Sequence, residues 1–94
     1  MHSQHESSKA FKVHGRVQGV GFRWWAQRQA RTLGLRGTVR NCADGTVEIA
    51  FAGANDSVAE MCARLLSGPS GAQVSRLEDQ EHPAELPYDF RIDL

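Results

Sequence analysis

The stretch 35-LRGTVRNCADGTVEIAF-51 holds two alternating runs on either side of an Asp44-Gly45 pair. Leu35, Gly37 and Val39 share one face of the first run, and Val47, Ile49 and Phe51 share one face of the second. Period two is the pattern of a half-buried strand. Asp-Gly between two such runs is a strong hairpin signal, because the tight turn needs residues that tolerate positive φ. A β-hairpin is therefore expected at the centre of the chain, with Asn41 at the end of its first strand.

Upstream, Phe11 and Val13 alternate with Lys12 and His14, which predicts a strand over Ala10–Val17. From Phe22 the period changes. Phe22, Trp25, Ala26, Gln29, Ala30 and Leu33 follow helical spacing, and Gly34 supplies a C-terminal stop. Downstream of the hairpin, Val58, Met61, Cys62 and Leu65 form an apolar helical stripe that ends at Gly68-Pro69. Asn55, or Ser57 with Glu60, would cap its start. A fourth strand is expected over Ala72–Glu81 with Val74 and Leu77 buried, and a short fifth at Phe90 and Ile92. The order βαββαβ with a short extra C-terminal strand is that of an α+β, ferredoxin-like two-layer sandwich. Both helices should cover one face of an antiparallel sheet.

The chain of 94 residues fits one domain. The polar head, MHSQHESSK, is expected to be a disordered tail over 1–9, outside a domain spanning 10–94. With no apolar leader and no membrane-length run, cytoplasmic residence is the default expectation. Acidic and basic residues balance at 11 each, so no global field recruits nucleic acid or an anionic membrane. Cys42 and Cys62 are too few for a secreted disulfide framework and lack metal-ligand spacing; they read as small apolar side chains. No metal and no cofactor are expected.

Chemistry concentrates in Gly15-Arg16-Val17-Gln18-Gly19-Val20-Gly21-Phe22-Arg23. Three glycines in seven residues let backbone N–H groups converge, and the loop runs into a helix N-terminus that favours an anion. Arg23 lies in the first helical turn, where a cation opposes the helix dipole. A guanidinium fork gripping phosphate oxygens explains that placement. The loop fits neither the Lys-Ser/Thr-terminated phosphate loop nor the dinucleotide fingerprint. Spacing alone leaves an anion cradle and a tight structural turn both open.

At this point the chain closely resembles the acylphosphatase family. The resemblance runs from about Phe11 to Phe90 and rests on GRVQGVGFR at 15–23, LGLRGTVRN at 33–41 and DGTVEI at 44–49. Gly53, the Gly-Pro at 68–69 and Val74 add to it. It implies that Gly15, Arg16, Val17, Gln18, Gly19, Val20, Gly21 and Phe22 form the phosphate-binding loop. It implies that Arg23 binds the phosphate and that Asn41 positions the attacking water. The implied substrate is an acyl phosphate; inorganic phosphate, which resembles the transferred group, is expected as product and competitive inhibitor, and the protein is expected to be a monomer. One departure stands at Thr38, where the family usually carries an aromatic residue.

The residues suit that chemistry. A carboxylate is a good leaving group, so the barrier is mostly positioning and charge. Arg23 and loop N–H groups can stabilise the equatorial oxygens, and the Asn41 side-chain oxygen can accept a hydrogen bond from water. An RNA-recognition module on the same fold would need exposed aromatics on its strands and a basic net charge, and neither is present. Nearby residues take blander readings. His14 alternates with Val13 onto the uncovered sheet face. Arg16 is either a solvated charge or an auxiliary electrostatic group, Arg40 is a solvated strand-end charge or a lure for the anionic substrate, Asp44 serves the turn, and Trp25 packs in the core. Trp24 lies off the apolar stripe, aligned with Arg28, and either stacks on it or borders the site mouth.

Overall fold

The computed structural model describes residues 5–81 and 85–94. Among the described residues the order is β1 (Glu6–Arg16), α1 (Phe22–Thr32), β2 (Arg36–Asn41), β3 (Val47–Ala54), α2 (Asn55–Ser67), β4 (Gln73–Asp79) and β5 (Phe90–Ile92). The strands form one sheet in the order β4-β1-β3-β2-β5. Helix α1 packs on β2 and β5, and α2 packs on β4, β1 and β3. This is the ferredoxin-like sandwich that the periodicity predicts. The sheet is mixed, however, and not wholly antiparallel. Strand β5 pairs parallel to β2, Gly37 opposite Phe90, while the other pairings are antiparallel.

The alternating runs bury the faces their pattern assigns. Val13, Val39, Val47, Phe51 and Phe90 meet Met61 and Leu65 of α2 in the core, all fully buried. Each such side chain contributes about 1.5–3 kcal/mol by leaving water. Phe11 and Phe51 pack as a tilted pair, ring centroids 6.2 Å apart. Cys42 and Cys62 are free thiols, each half-buried, and burial pushes the Cys62 thiol up.

Three expectations shift. Strand β1 begins at Glu6, not Ala10, because Glu6–Ala10 pair with Ala54–Ala50 of β3. Glu6–Lys9 therefore belong to the sheet, since ladder hydrogen bonds satisfy their backbone whatever their polarity. Residues 1–4 lie outside the described residues. Helix α2 starts at Asn55 with Ala54 at its N-cap, and no side chain caps it. Val74 and Leu77 are half-buried against the core, not fully buried, because β4 is an edge strand. Their three-residue spacing breaks strand alternation, and a β-bulge accommodates it. The register shifts between His14↔Arg76 and Gly15↔Val74, which leaves Ser75 unpaired and brings both apolar residues inward.

Candidate anion site

The loop after β1 and the end of β2 meet at one cavity of about 240 Å³. Its lining comprises Val17, Gly19, Gly21, Phe22, Arg23, Trp24, Asn41, Ile92 and Leu94. Arg23 and Asn41 come from different elements, the first turn of α1 and the last residue of β2. The packing of α1 on β2 brings them together. Neither side chain has a hydrogen bond or ion pair with any described residue. A half-buried guanidinium with no partner is unusual, because desolvating a charge without compensation is costly.

The backbone adds to this. Gly21 is the N-cap of α1 at φ 77° and ψ 22°, a left-handed conformation that an L side chain rarely takes, and Gly19 is at φ 76°. The first backbone bond of the helix runs from the Trp25 N–H to the Gly21 carbonyl, 3.0 Å. The N–H groups of Gly19 through Trp24 donate to no acceptor among the described residues. No side chain caps the helix, and no acidic residue lies in its first turn. The unsatisfied donors and the dipole both favour negative charge there.

The loop residues divide. Val17, Gly19, Gly21 and Phe22 line the cavity; Gly15, Arg16, Gln18 and Val20 do not. Gly15 sits at the β4 bulge, where a Cβ would come within 2.0 Å of the Gln73 carbonyl oxygen, so packing explains this glycine. Arg16 ends β1, exposed and opposite Gln73. Val20 packs against the core. Gln18 turns to the hairpin, and its Nε2 donates to the carbonyl oxygens of Cys42 and Thr46, 2.8 Å each. Those residues flank the turn next to Asn41. The Gln18 side chain thus ties the glycine loop to the strand end that carries the amide.

Gln18→Leu is expected to remove both bonds. A net 0.5–1.5 kcal/mol for each gives a loss of about 1–3 kcal/mol, or roughly 4–24 °C in melting temperature for a domain of this size. A thermal melt reads this directly. A variant melting with the wild type would show that the tether carries no stability.

The hairpin turn closes as its Asp-Gly pair predicts. Cys42 donates to the Thr46 carbonyl at 2.9 Å, and Gly45 donates to the Cys42 carbonyl at 3.2 Å. The Thr46 hydroxyl and then its N–H hold the Asp44 carboxyl down at about 2, which fits a turn role for Asp44. His14 is remote from the cavity lining and bonds through Nε2 to Glu78 at 2.7 Å, a contact that lowers the Glu78 carboxyl. Arg40 pairs with Glu48. Thr38 does not line the cavity. Trp25 packs on Phe22 with ring centroids 5.4 Å apart. Trp24 meets both of its expectations, since it lines the cavity and carries Arg28 over its ring at 4.9 Å. Ile92 signalled a short strand in the sequence but no part in the site. It reaches the cavity because β5 is held on α1, where Gln27 donates to the Phe90 carbonyl at 3.0 Å and Arg31 pairs with Asp89 at 2.9 Å.

No group of three or more His, Cys, Asp or Glu side chains among the described residues could hold a metal ion. No helix among them is long and apolar enough to cross a membrane.

A glycine loop, an uncapped helix start, an unpaired arginine and an amide meet around one small cavity of a ferredoxin-like fold, an arrangement chemically suited to an anion. Comparison with known proteins gives that site a family. The acylphosphatase family model matches residues 9–92. An acylphosphatase of Rhizobium etli is 46% identical over 91 residues, covering 96% of this chain and 97% of that protein. Among solved structures, the fold is similar to an acylphosphatase from Coxiella burnetii, with TM-score 0.88 and 35% identity over 99% of this chain and 100% of that one. It is also similar to the Bacillus subtilis acylphosphatase, with TM-score 0.86 and 30% identity over 96% of this chain and 100% of that one. The chain belongs to the acylphosphatase family, hydrolases that act on acid anhydrides, and acyl phosphates are the substrate class.

Proposed function

We propose that this chain hydrolyses acyl phosphates by in-line attack of a water held by Asn41 on a phosphate held by Arg23 and the 17–22 part of the loop. The observation that carries this reading is that Arg23 and Asn41 line one cavity, each side chain without a partner. The guanidinium fork and the free N–H groups of 19–24 stabilise the three equatorial oxygens as the transition state loosens. The Asn41 side-chain oxygen accepts a hydrogen bond from the water and aims its lone pair at phosphorus. The new P–O bond forms as the bond to the carboxylate oxygen breaks. Asparagine is too weak a base to keep the water's proton, which passes to a non-bridging phosphate oxygen or to solvent. The products are the carboxylate and inorganic phosphate.

Inorganic phosphate resembles the transferred group and binds the same cradle as a competitive inhibitor. A ligand that binds only the folded state adds RT ln(1 + [L]/Kd), about 1.4 kcal/mol at ten times Kd. That is a rise of roughly 6–11 °C in melting temperature. Arg23→Ala is expected to lose most of this rise, because the fork is gone. Asn41→Ala is expected to keep most of it, because Asn41 serves the water. Both variants should turn over benzoyl phosphate poorly. The check is a thermal melt of the three proteins with and without phosphate, with chloride holding ionic strength constant. If Asn41→Ala lost the rise as fully as Arg23→Ala, Asn41 would be a phosphate ligand and this division of labour would be wrong.

A further inference from the structure

The cavity lining includes residues that phosphate chemistry does not use. Beside Gly19, Gly21, Arg23 and Asn41, its lining includes Trp24, Ile92 and Leu94. Among the described residues four large hydrophobics are exposed, and two of them, Trp24 and Leu94, border this one cavity. Trp24 is 61% exposed, so the core does not explain it. Its ring is nevertheless held. The Arg28 guanidinium, one helical turn on, lies over it at 4.9 Å and has no other partner among the described residues. An indole fixed on one side by a cation presents a rigid apolar surface next to the anion end.

We infer that Trp24, with Ile92 also in the lining, is the acyl-recognition wall of this enzyme and selects acyl phosphates whose acyl group is aromatic or bulky and apolar. The inference rests on the reading above, in which Arg23 and the loop hold the phosphate. With phosphorus fixed there, an acyl group that follows the cavity wall meets Trp24, Ile92 and Leu94, which are apolar. A benzoyl ring gains contact area and an aromatic partner on Trp24; an acetyl methyl group is too short to gain either. The wall acts on substrate binding and does not touch the reacting atoms, and the Trp24 N–H survives any side-chain change.

The test compares kcat/KM for benzoyl phosphate and acetyl phosphate in wild type, Trp24→Ala and Trp24→Phe. Trp24→Ala is expected to lower the benzoyl-to-acetyl ratio about tenfold, mostly through KM. Trp24→Phe should keep the ratio within about threefold of wild type, because it restores an aromatic face. The melting rise with inorganic phosphate should persist in both variants, which shows that the fold and cradle are intact. An unchanged ratio in Trp24→Ala overturns the inference, and so does a ratio that falls equally in Trp24→Phe. Wild-type protein inert toward both substrates would instead remove the hydrolytic reading, a separate outcome from a changed or unchanged ratio.

Discussion

Arg23→Lys is expected to hydrolyse benzoyl phosphate with less than a tenth of the wild-type kcat/KM while melting within a few degrees of it. The arginine stands in the first turn of α1, beside N–H groups that are themselves unpaired. Nothing among the described residues neutralises it, so its charge is not a structural requirement. Lysine keeps that charge but not the planar fork that meets two phosphate oxygens at once. Losing one charge-assisted bond in the transition state costs more than the ~1.4 kcal/mol that tenfold in rate represents. Stability should hold because no contact within the protein is lost. Steady-state kinetics with a paired melt decide it. A lysine variant retaining more than a tenth of the rate would mean that Arg23 supplies charge alone.

Gly37→Ala is expected to melt at least about 10 °C lower, or to yield no folded protein. Gly37 lies inside the sheet on β2, between β3 and β5. A Cβ built there comes within 1.9 Å of the Ala50 carbonyl oxygen and 2.8 Å of the Phe51 Cα, both backbone atoms, and φ is 152°. No rotamer change relieves a clash with backbone, so β2 would have to move off β3. Overpacking of this kind costs about 1–3 kcal/mol, and the backbone strain adds about 1–3 more. Asn41 ends the same strand, so activity should fall in whatever fraction folds. Thr38→Ala, one residue on and half-buried outside the core cluster, is the control and should cost less than about 1 kcal/mol. A Gly37→Ala protein as stable as wild type would show that the close approach is not rigid.

The fold was legible because the apolar periods are clean. Val47, Ile49 and Phe51 alternate and are all buried. Phe22, Ala26 and Ala30 follow helical spacing and are all buried. What blurred was set by pairing and not by pattern. Glu6–Lys9 look like a polar tail yet join the sheet, because β3 offers ladder partners to Ala54. The parallel placement of β5 beside β2 depends on where the chain returns after β4, which three residues of strand do not encode. Val74 and Leu77 violate alternation, and only the partner strand reveals the bulge that reconciles them.

The site divides in the same way. Local sequence determined the glycine loop, the helix that follows it and the arginine in its first turn. Each is a matter of backbone freedom and helix polarity within about ten residues. Sequence also placed Asn41 at a strand end and Asp44 in the turn, from alternation and turn chemistry alone. Tertiary structure decided what these residues face. It moved Gly15 from the cradle to packing against β4, and it turned Gln18 into a tether between loop and hairpin. It brought Asn41 and Arg23 to one cavity and added Ile92 to the same lining as Trp24. The physical reason is that a hydrogen bond to a distant carbonyl, or the wall of a cavity, belongs to two segments at once. Neither segment's own periodicity records the other, and only the packing of α1 across β2 and β5 brings them to one place.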